Sequence, residues 1–143
     1  MKKFIALFVF AFIFGGCVSV DNNDISSDGQ ILAKEQKMGE DMIEAFRKRD
    51  LAAFIQYIPV GGRQMYGKNE FQKEQQEIAA RMGEIVSYRF LTKLEMEPAH
   101  QLVWAVRFKS YSLKGEPIYR EALFTIVVGE VDDSRKVFLF GFK

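Results

Sequence analysis

The stretch MGEIVSYRFLTKLEMEP, residues 82–98, decides the fold because the hydrophobic pattern within it changes from a helical period to a strand period. Gly83 ends the helical pattern, since glycine readily takes the conformation in which helices stop. From Ile85 onward, apolar and polar residues alternate, which is typical of a strand with one buried face. Pro98 turns the chain. The predicted inward positions of this first strand are Val86, Tyr88, Phe90, Leu94 and Met96.

Three further strands follow it. Alternation predicts one strand along Leu102–Phe108 and another along Ile118–Val128, with a short apolar strand at Val137–Phe142. Lys114-Gly115-Glu116-Pro117 and Asp132-Asp133-Ser134 mark the turns between them. Consecutive strands joined by short turns predict an antiparallel meander.

Three helices are predicted upstream of the strands. The first begins at a capping box over 27–30 and carries an apolar stripe at Ile31, Met38, Met42, Ala45 and Phe46. Asp50 caps a short second helix, which Pro59 and Gly61-Gly62 end. Asn69 with Gln72 starts a third, which ends at Gly83. Helices followed by a run of strands favour an α+β domain, over 30–143, with N-terminal helices packed on one face of a four-stranded antiparallel sheet.

The N-terminus has the order of an export signal. Lys2 and Lys3 precede an apolar run over 4–14, then Gly15-Gly16 and Cys17. The run is well short of the roughly 20 apolar residues of a spanning helix. Three kinds of protein begin in this way: a lipoprotein that is held by lipid on the cysteine, an ordinary secreted protein, and a protein with an uncleaved membrane anchor.

The segment over 14–17 resembles the lipobox of bacterial lipoproteins. The resemblance implies removal of residues 1–16 and acylation of Cys17, so that residues 17–29 form a lipidated, flexible tether. It implies a protein of the cell envelope, held by lipid at a membrane. In lipoproteins of enteric bacteria, an Asp directly after the lipidated cysteine resembles a mark for retention at the inner membrane. Val18 stands at that place here, so the resemblance favours the periplasmic side of the outer membrane if the organism is Gram-negative.

Composition excludes several classes of function. The chain has one cysteine and one histidine, so no metal site, cofactor or redox pair is predicted. His100 reads as a solvated turn residue beside Pro98-Ala99. The 20 Lys and Arg balance 19 Asp and Glu, and loss of Lys2 and Lys3 would leave a net charge of −1. Without a basic field, nucleic-acid binding is not expected.

Two segments carry a resemblance to a known fold. FRKRDLAAF at 46–54 and GKNEF at 67–71, in this order of elements, resemble the cystatin-like fold of the nuclear-transport-factor-2-like (NTF2-like) superfamily. The resemblance implies a strongly curved four-stranded sheet, a cone with a pocket between the helices and the concave face of that sheet, and frequent dimerisation through the sheet. Superfamily members include dehydratases, isomerases and non-enzymatic binding domains.

Candidate site residues follow from strand register. Tyr88, Trp104 and Arg120 fall on the predicted inner face and are the candidate pocket residues. Arg120 would bind a carboxylate or phosphate, or would lay its stem on the apolar surface and reach water or a glutamate. Because no carboxylate or histidine shares that face, no catalytic residue is predicted. The candidate interface residues are Phe138, Phe140 and Phe142.

The sequence thus predicts a lipid-anchored module that binds a small apolar or anionic ligand or a protein. The protein partner would be a second copy of the chain or another envelope protein. One alternative is an isomerase or dehydratase that uses Tyr88 and Arg120, and the other is a structural component of an envelope assembly.

Overall fold

A computed structural model describes residues 22–143, with side chains from Asp28 onward. The signal segment over 1–16, Cys17 and the first residues of the predicted tether lie outside the described residues. The helices are α1 (Asn22–Lys48), α2 (Leu51–Ile55), α3 (Val60–Met65) and α4 (Lys68–Met82). The strands are β1 (Glu84–Met96), β2 (Ala99–Tyr111), β3 (Pro117–Val131) and β4 (Ser134–Phe142).

The four strands form one antiparallel meander in the order β1-β2-β3-β4. Helix α1 contacts β1, β2 and β3, so the helices cover one face of the sheet, called here the inner face. Irregular pairing occurs in β1 and between β3 and β4, and such bulges bend strands. The predicted α+β class and the curved four-stranded sheet are confirmed.

Helix α1 begins earlier than predicted. It starts at Asn22, before the predicted cap at Ser27, and so occupies most of the segment interpreted as a tether. Asp28, Gly29 and Gln30 are exposed. Because these three residues are exposed, they need no apolar periodicity to be helical.

The boundaries of the short helices are partly as predicted. Asp50 caps α2, since its Oδ1 accepts a hydrogen bond of 3.0 Å from the Ala53 N–H. Pro59 does not end the helical region but precedes α3, and proline suits a helix start because it has no N–H to leave unpaired there. Helix α4 begins after Gly67, whose N–H donates to the Glu70 carboxylate at 3.0 Å, and not at Asn69. There are therefore four helices among the described residues, not three.

Two bulges change which side chains of β1 face inward. The pairing with β2 shifts between Ile85 and Ser87 and again between Phe90 and Thr92. Each extra residue moves the following side chains to the opposite face. Ile85, which precedes the first bulge, is buried. Three residues predicted to point inward are 46–48% exposed: Val86, Leu94 and Met96.

Trp104 fills the middle of the space between α1 and the sheet. Its side chain is fully buried, and its ring packs against Phe90 at 5.5 Å and Phe124 at 6.1 Å between centroids. The indole lies directly on the α1 backbone at Gly39. The interior of the domain is a packed aromatic core at this point.

Among the described residues, no helix combines the length and the apolar character that a membrane span requires.

Candidate functional site

A lateral cleft of about 680 Å³ opens between the end of α1, helix α4 and the start of β1. Its floor is formed by core residues that are at most 8% exposed: Phe46, Phe71, Ile78, Ile85 and Phe108. Three cationic side chains line it: Arg47, Arg49 and Lys68. The volume of this cavity is in the range of small-molecule sites. It is the candidate functional site.

The floor of the cleft is held by packing and by a hydrogen bond between helices. Phe46 and Phe71 meet edge to face with ring centroids 5.8 Å apart. The Gln75 side-chain amide on α4 donates to the Phe46 carbonyl near the end of α1 at 2.7 Å. Because both helices are fixed by these contacts, the shape of the cleft exists before any ligand binds.

The three cations differ in their local partners. Arg47 donates to the Glu44 carboxylate at 2.6 Å, and this hydrogen bond is the main cause that lowers the pKa of Glu44. Part of the Arg47 charge is thus balanced on α1. Arg49 and Lys68 make no ion pair with any described residue, so their charges face the cleft and the solvent. Glu84 is the carboxylate that lines the cleft.

The structure does not bring the three predicted pocket residues together. Tyr88 lines a smaller depression of about 180 Å³, which shares Arg47 and Ile85 with the cleft. Burial and the nearby Glu44 carboxylate raise the pKa of Tyr88. Trp104 belongs to the core, and Arg120 is exposed and donates to the Ser110 hydroxyl at 2.7 Å. Neither the cleft nor the smaller depression is lined by all three.

The predicted interface aromatics also divide between two environments. Phe140 and Phe142 turn inward, with ring centroids 5.0 Å from Phe54 and 5.1 Å from Phe46, respectively. Phe138 is 48% exposed and covers Gly129. Two of the three aromatics therefore pack against the core, because β4 pairs with the buried segment of β3.

The prediction for His100 is wrong. It lies in β2, with Nδ1 2.9 Å from one oxygen of Glu35 and 3.0 Å from the other, and Nε2 3.0 Å from Glu95. Glu35 is fully buried on α1. Its spacing of four from Ile31 and seven from Met42 places it on the apolar stripe, and this was the signal in the sequence that a buried polar contact existed.

The side chains around His100 come from α1, β1 and β4, so they link its strand, β2, to three other elements. Arg135 on β4 approaches Glu35 at 3.7 Å, and Lys93 on β1 pairs with Glu95 at 2.7 Å. We call Glu35, His100, Glu95, Lys93 and Arg135 the Glu35–His100 cluster. Both imidazole nitrogens already face carboxylates, and none of these residues lines the cleft. The cluster therefore links α1 to the β1–β2 hairpin and to β4. Among the described residues, no group of side chains is suited to hold a metal ion.

Comparison with known proteins shows a similarity of fold only. No protein-family profile and no curated sequence matches the chain. The structure is similar to Aln2 from a Streptomyces species, with 10% identity and a TM-score of 0.54, over 80% of this chain and 90% of that one. AclR from Streptomyces galilaeus, described as a candidate hydroxylase, matches at 12% identity and a TM-score of 0.46, over 78% and 90%.

A candidate NTF2-like transpeptidase from Campylobacter jejuni matches at 12% identity and a TM-score of 0.46, over 73% of this chain and 97% of that one. At these identities the likenesses concern the fold alone. Helices followed by a curved four-stranded antiparallel sheet are the architecture that the NTF2-like resemblance implied.

Proposed function

We propose that this chain is a lipid-anchored protein of the cell envelope whose α+β domain binds a small ligand in the lateral cleft. The observation that carries the proposal is the cleft itself, which has the volume of a small-molecule site and is lined by three cationic side chains. Binding, rather than chemistry, is the proposed activity because, among the described residues, no histidine lines the cleft and Glu84 is its single carboxylate.

The anchor is proposed from the sequence. A basic start, an apolar run and two glycines lead to Cys17, and this is the one cysteine of the chain. Two or more acyl chains hold a protein firmly at a membrane, whereas one chain binds marginally. A lipidated Cys17 followed by α1 would place the cleft in the envelope, within reach of small molecules there.

Mass spectrometry of the full-length protein extracted from membranes tests both halves of the proposal. The N-terminal peptide should begin at Cys17 and carry the mass of diacylglycerol, and Cys17→Ala should release the protein from the membrane fraction. An unmodified Cys17 would overturn the anchor.

Native spectra of the same preparation should show a bound small molecule. Ala79→Trp, at an exposed position that lines the cleft, should abolish that binding. Ala80→Trp is the matched control, since Ala80 is exposed on the same helix and does not line the cleft. Equal ligand retention in both variants would contradict the cleft as the site.

A second candidate function is protein interaction through the face of the sheet that α1 leaves uncovered. Four apolar residues of strands β1, β3 and β4 are 42–66% exposed there: Leu94, Met96, Leu123 and Leu139. The isomerase or dehydratase alternative is not favoured, since it needs Tyr88 and Arg120 in one pocket, whereas Tyr88 lines the smaller depression and Arg120 lines neither that depression nor the cleft.

A further inference from the structure

We infer that the free edge of β1 over residues 87–90 is a docking site for a short extended segment of another polypeptide, which adds one strand to the sheet. We call this part of the strand the β1 edge. The site is the edge of the sheet and neither of its faces. The inference goes beyond the proposed function, because it does not depend on a ligand in the cleft.

The strand register determines which backbone groups of β1 point to its free edge. Leu123 on β3 and Lys143 exchange two hydrogen bonds, at 3.0 and 2.8 Å. Hydrogen-bonded and non-hydrogen-bonded pairs alternate along antiparallel strands, so the backbone groups of Ala122 point to its β2 partner, Val106. Val106 in turn faces β3 and not Tyr88, its partner on β1. The N–H and C=O of Tyr88 therefore point away from the sheet.

Phe90 repeats this arrangement two residues farther along the strand. Its partner is Trp104, whose backbone groups face β3 by the same alternation, so the N–H and C=O of Phe90 also point away from the sheet. Within 22–143, no backbone group of another element pairs with β1 from this side. The β1 edge thus presents two donors and two acceptors at the spacing of an extended chain. A second extended chain has groups at the same spacing, and strand addition uses this match.

Two bulges limit the length of the segment that can dock. One lies between Ile85 and Ser87, the other lies between Phe90 and Thr92, and the pairing with β2 is regular between them. Bulges bend a strand and interrupt pairing along its edge, which protects long edges from association with other long strands. A second copy of β1 would bring its own two bulges to the contact. A short segment, of about four residues, is therefore the occupant that fits.

The space and the side chains around the β1 edge also suit an added strand. The smaller depression, of about 180 Å³, opens beside Ser87 and Tyr88 toward α1. The bulge residues Val86 and Leu91 are 46% and 38% exposed, so apolar side chains of a docked segment have real surface to cover at both ends. The other edge of the sheet is partly closed, because a β4 N–H, at residue 137, donates at 2.9 Å to the carbonyl of residue 57.

Hydrogen exchange of the full-length protein extracted from membranes, read at single amides by mass spectrometry, tests the inference. The probe is the neutral pentapeptide acetyl-Thr-Val-Thr-Val-Thr-amide. Without it, the Tyr88 and Phe90 amides should exchange faster than the Arg89 amide, which pairs with Ala105 of β2. At a peptide concentration of about ten times its Kd, exchange at Tyr88 and Phe90 should slow about tenfold. The same peptide N-methylated at its three central residues should have no effect, because neither of its edges keeps its donors.

Tyr88→Pro and Tyr88→Ala form a matched pair of variants. Both remove the tyrosine side chain, but only Tyr88→Pro also removes the N–H that points to the free edge. Proline is tolerated in an edge strand where its nitrogen faces away from the sheet. We expect Tyr88→Pro to bind the peptide about threefold to tenfold more weakly than Tyr88→Ala, as for the loss of one hydrogen bond. If Tyr88→Pro does not fold, the comparison of the two peptides on wild type remains the test.

Four results would overturn the inference. Slow exchange at Tyr88 and Phe90 without peptide would show that the β1 edge is already paired. Slowing that grows with protein concentration alone would make a second copy the occupant. Equal effects of the two peptides would exclude main-chain pairing, and the absence of any effect would exclude docking. None of these results bears on the cleft, which Ala79→Trp tests separately.

Discussion

Gly39 on α1 has no room for a side chain. A Cβ built on it would lie 2.1 Å from Cη2 and 2.4 Å from Cζ2 of Trp104. The indole is rigid and fully buried between Phe90 and Phe124, so it cannot move aside without disturbing the sheet. The absence of a side chain at Gly39 is therefore what allows α1 to approach β2 closely.

We expect Gly39→Ala to destabilise the domain by about 1–3 kcal/mol, because overpacking outweighs the roughly 1 kcal/mol by which alanine favours a helix. Urea unfolding followed by the fluorescence of Trp104, the one tryptophan of the chain, measures the effect. Gly29→Ala is the control, since Gly29 lies in the same helix with nothing within 4 Å of its built Cβ. It should be neutral or stabilising, and equal stability of the two variants would contradict the close packing.

Single residues also show which parts of the site could be read from the sequence. The alternation in β2 placed Trp104 on the inner face, and the structure agrees. Register alone did not show that its ring fills the interior instead of lining a pocket, because that depends on how closely α1 approaches at Gly39. The cleft gave no local signal either, because its lining comes from α1, α4 and β1, which are distant in sequence and adjacent in the fold.

At the scale of elements, the strand meander was predictable and the helix boundaries were less so. Period-two alternation and turn residues are local signals, and they gave four strands in the right order. The bulges at Val86 and near Leu91 were not predicted, since a bulge leaves composition unchanged while it reverses the faces that follow. Glu35 and His100 were missed for a related reason, because each is polar and becomes buried only through the other.

The Glu35–His100 cluster should hold the β1–β2 hairpin against α1. Removal of His100 leaves the buried Glu35 carboxylate with Arg135 at 3.7 Å as its nearest charged partner. Loss of the hydrogen-bond partner of a buried polar group typically costs about 1–3 kcal/mol. We expect His100→Gln to lower the free energy of unfolding by an amount in that range and to speed amide hydrogen exchange over 94–101.

Glu95→Gln is the control for this prediction. Glu95 contacts the other imidazole nitrogen but is 62% exposed, so water can replace it, and the expected cost is below about 1 kcal/mol. Hydrogen exchange and urea unfolding of the two variants give the comparison. Equal effects of His100→Gln and Glu95→Gln would show that burial of Glu35 does not govern the hairpin.

At the scale of the whole molecule, the two faces of the sheet differ in what covers them. The inner face packs on α1, whereas the outer face carries exposed Leu94, Leu123 and Leu139 over a centre of small or short side chains, including Ala105. Exposed contiguous apolar surface marks interaction sites in soluble domains. Phe138 is the exposed member of the three predicted interface aromatics.

We expect this outer face to join two copies of the chain. Arg107 on β2 and Glu121 on β3 are register neighbours on the same face, so a twofold axis could set the arginine of one copy against the glutamate of the other. Light scattering of the soluble domain over a range of concentrations should then show a monomer–dimer equilibrium. Leu123→Glu should shift it to monomer, because the new carboxylate would be buried without a partner in the dimer.

Leu113→Glu is the control, since Leu113 is fully exposed in the β2–β3 turn and lies outside the strands of the sheet. A monomer at every concentration, or a dimer unaffected by Leu123→Glu, would contradict the outer face as the contact.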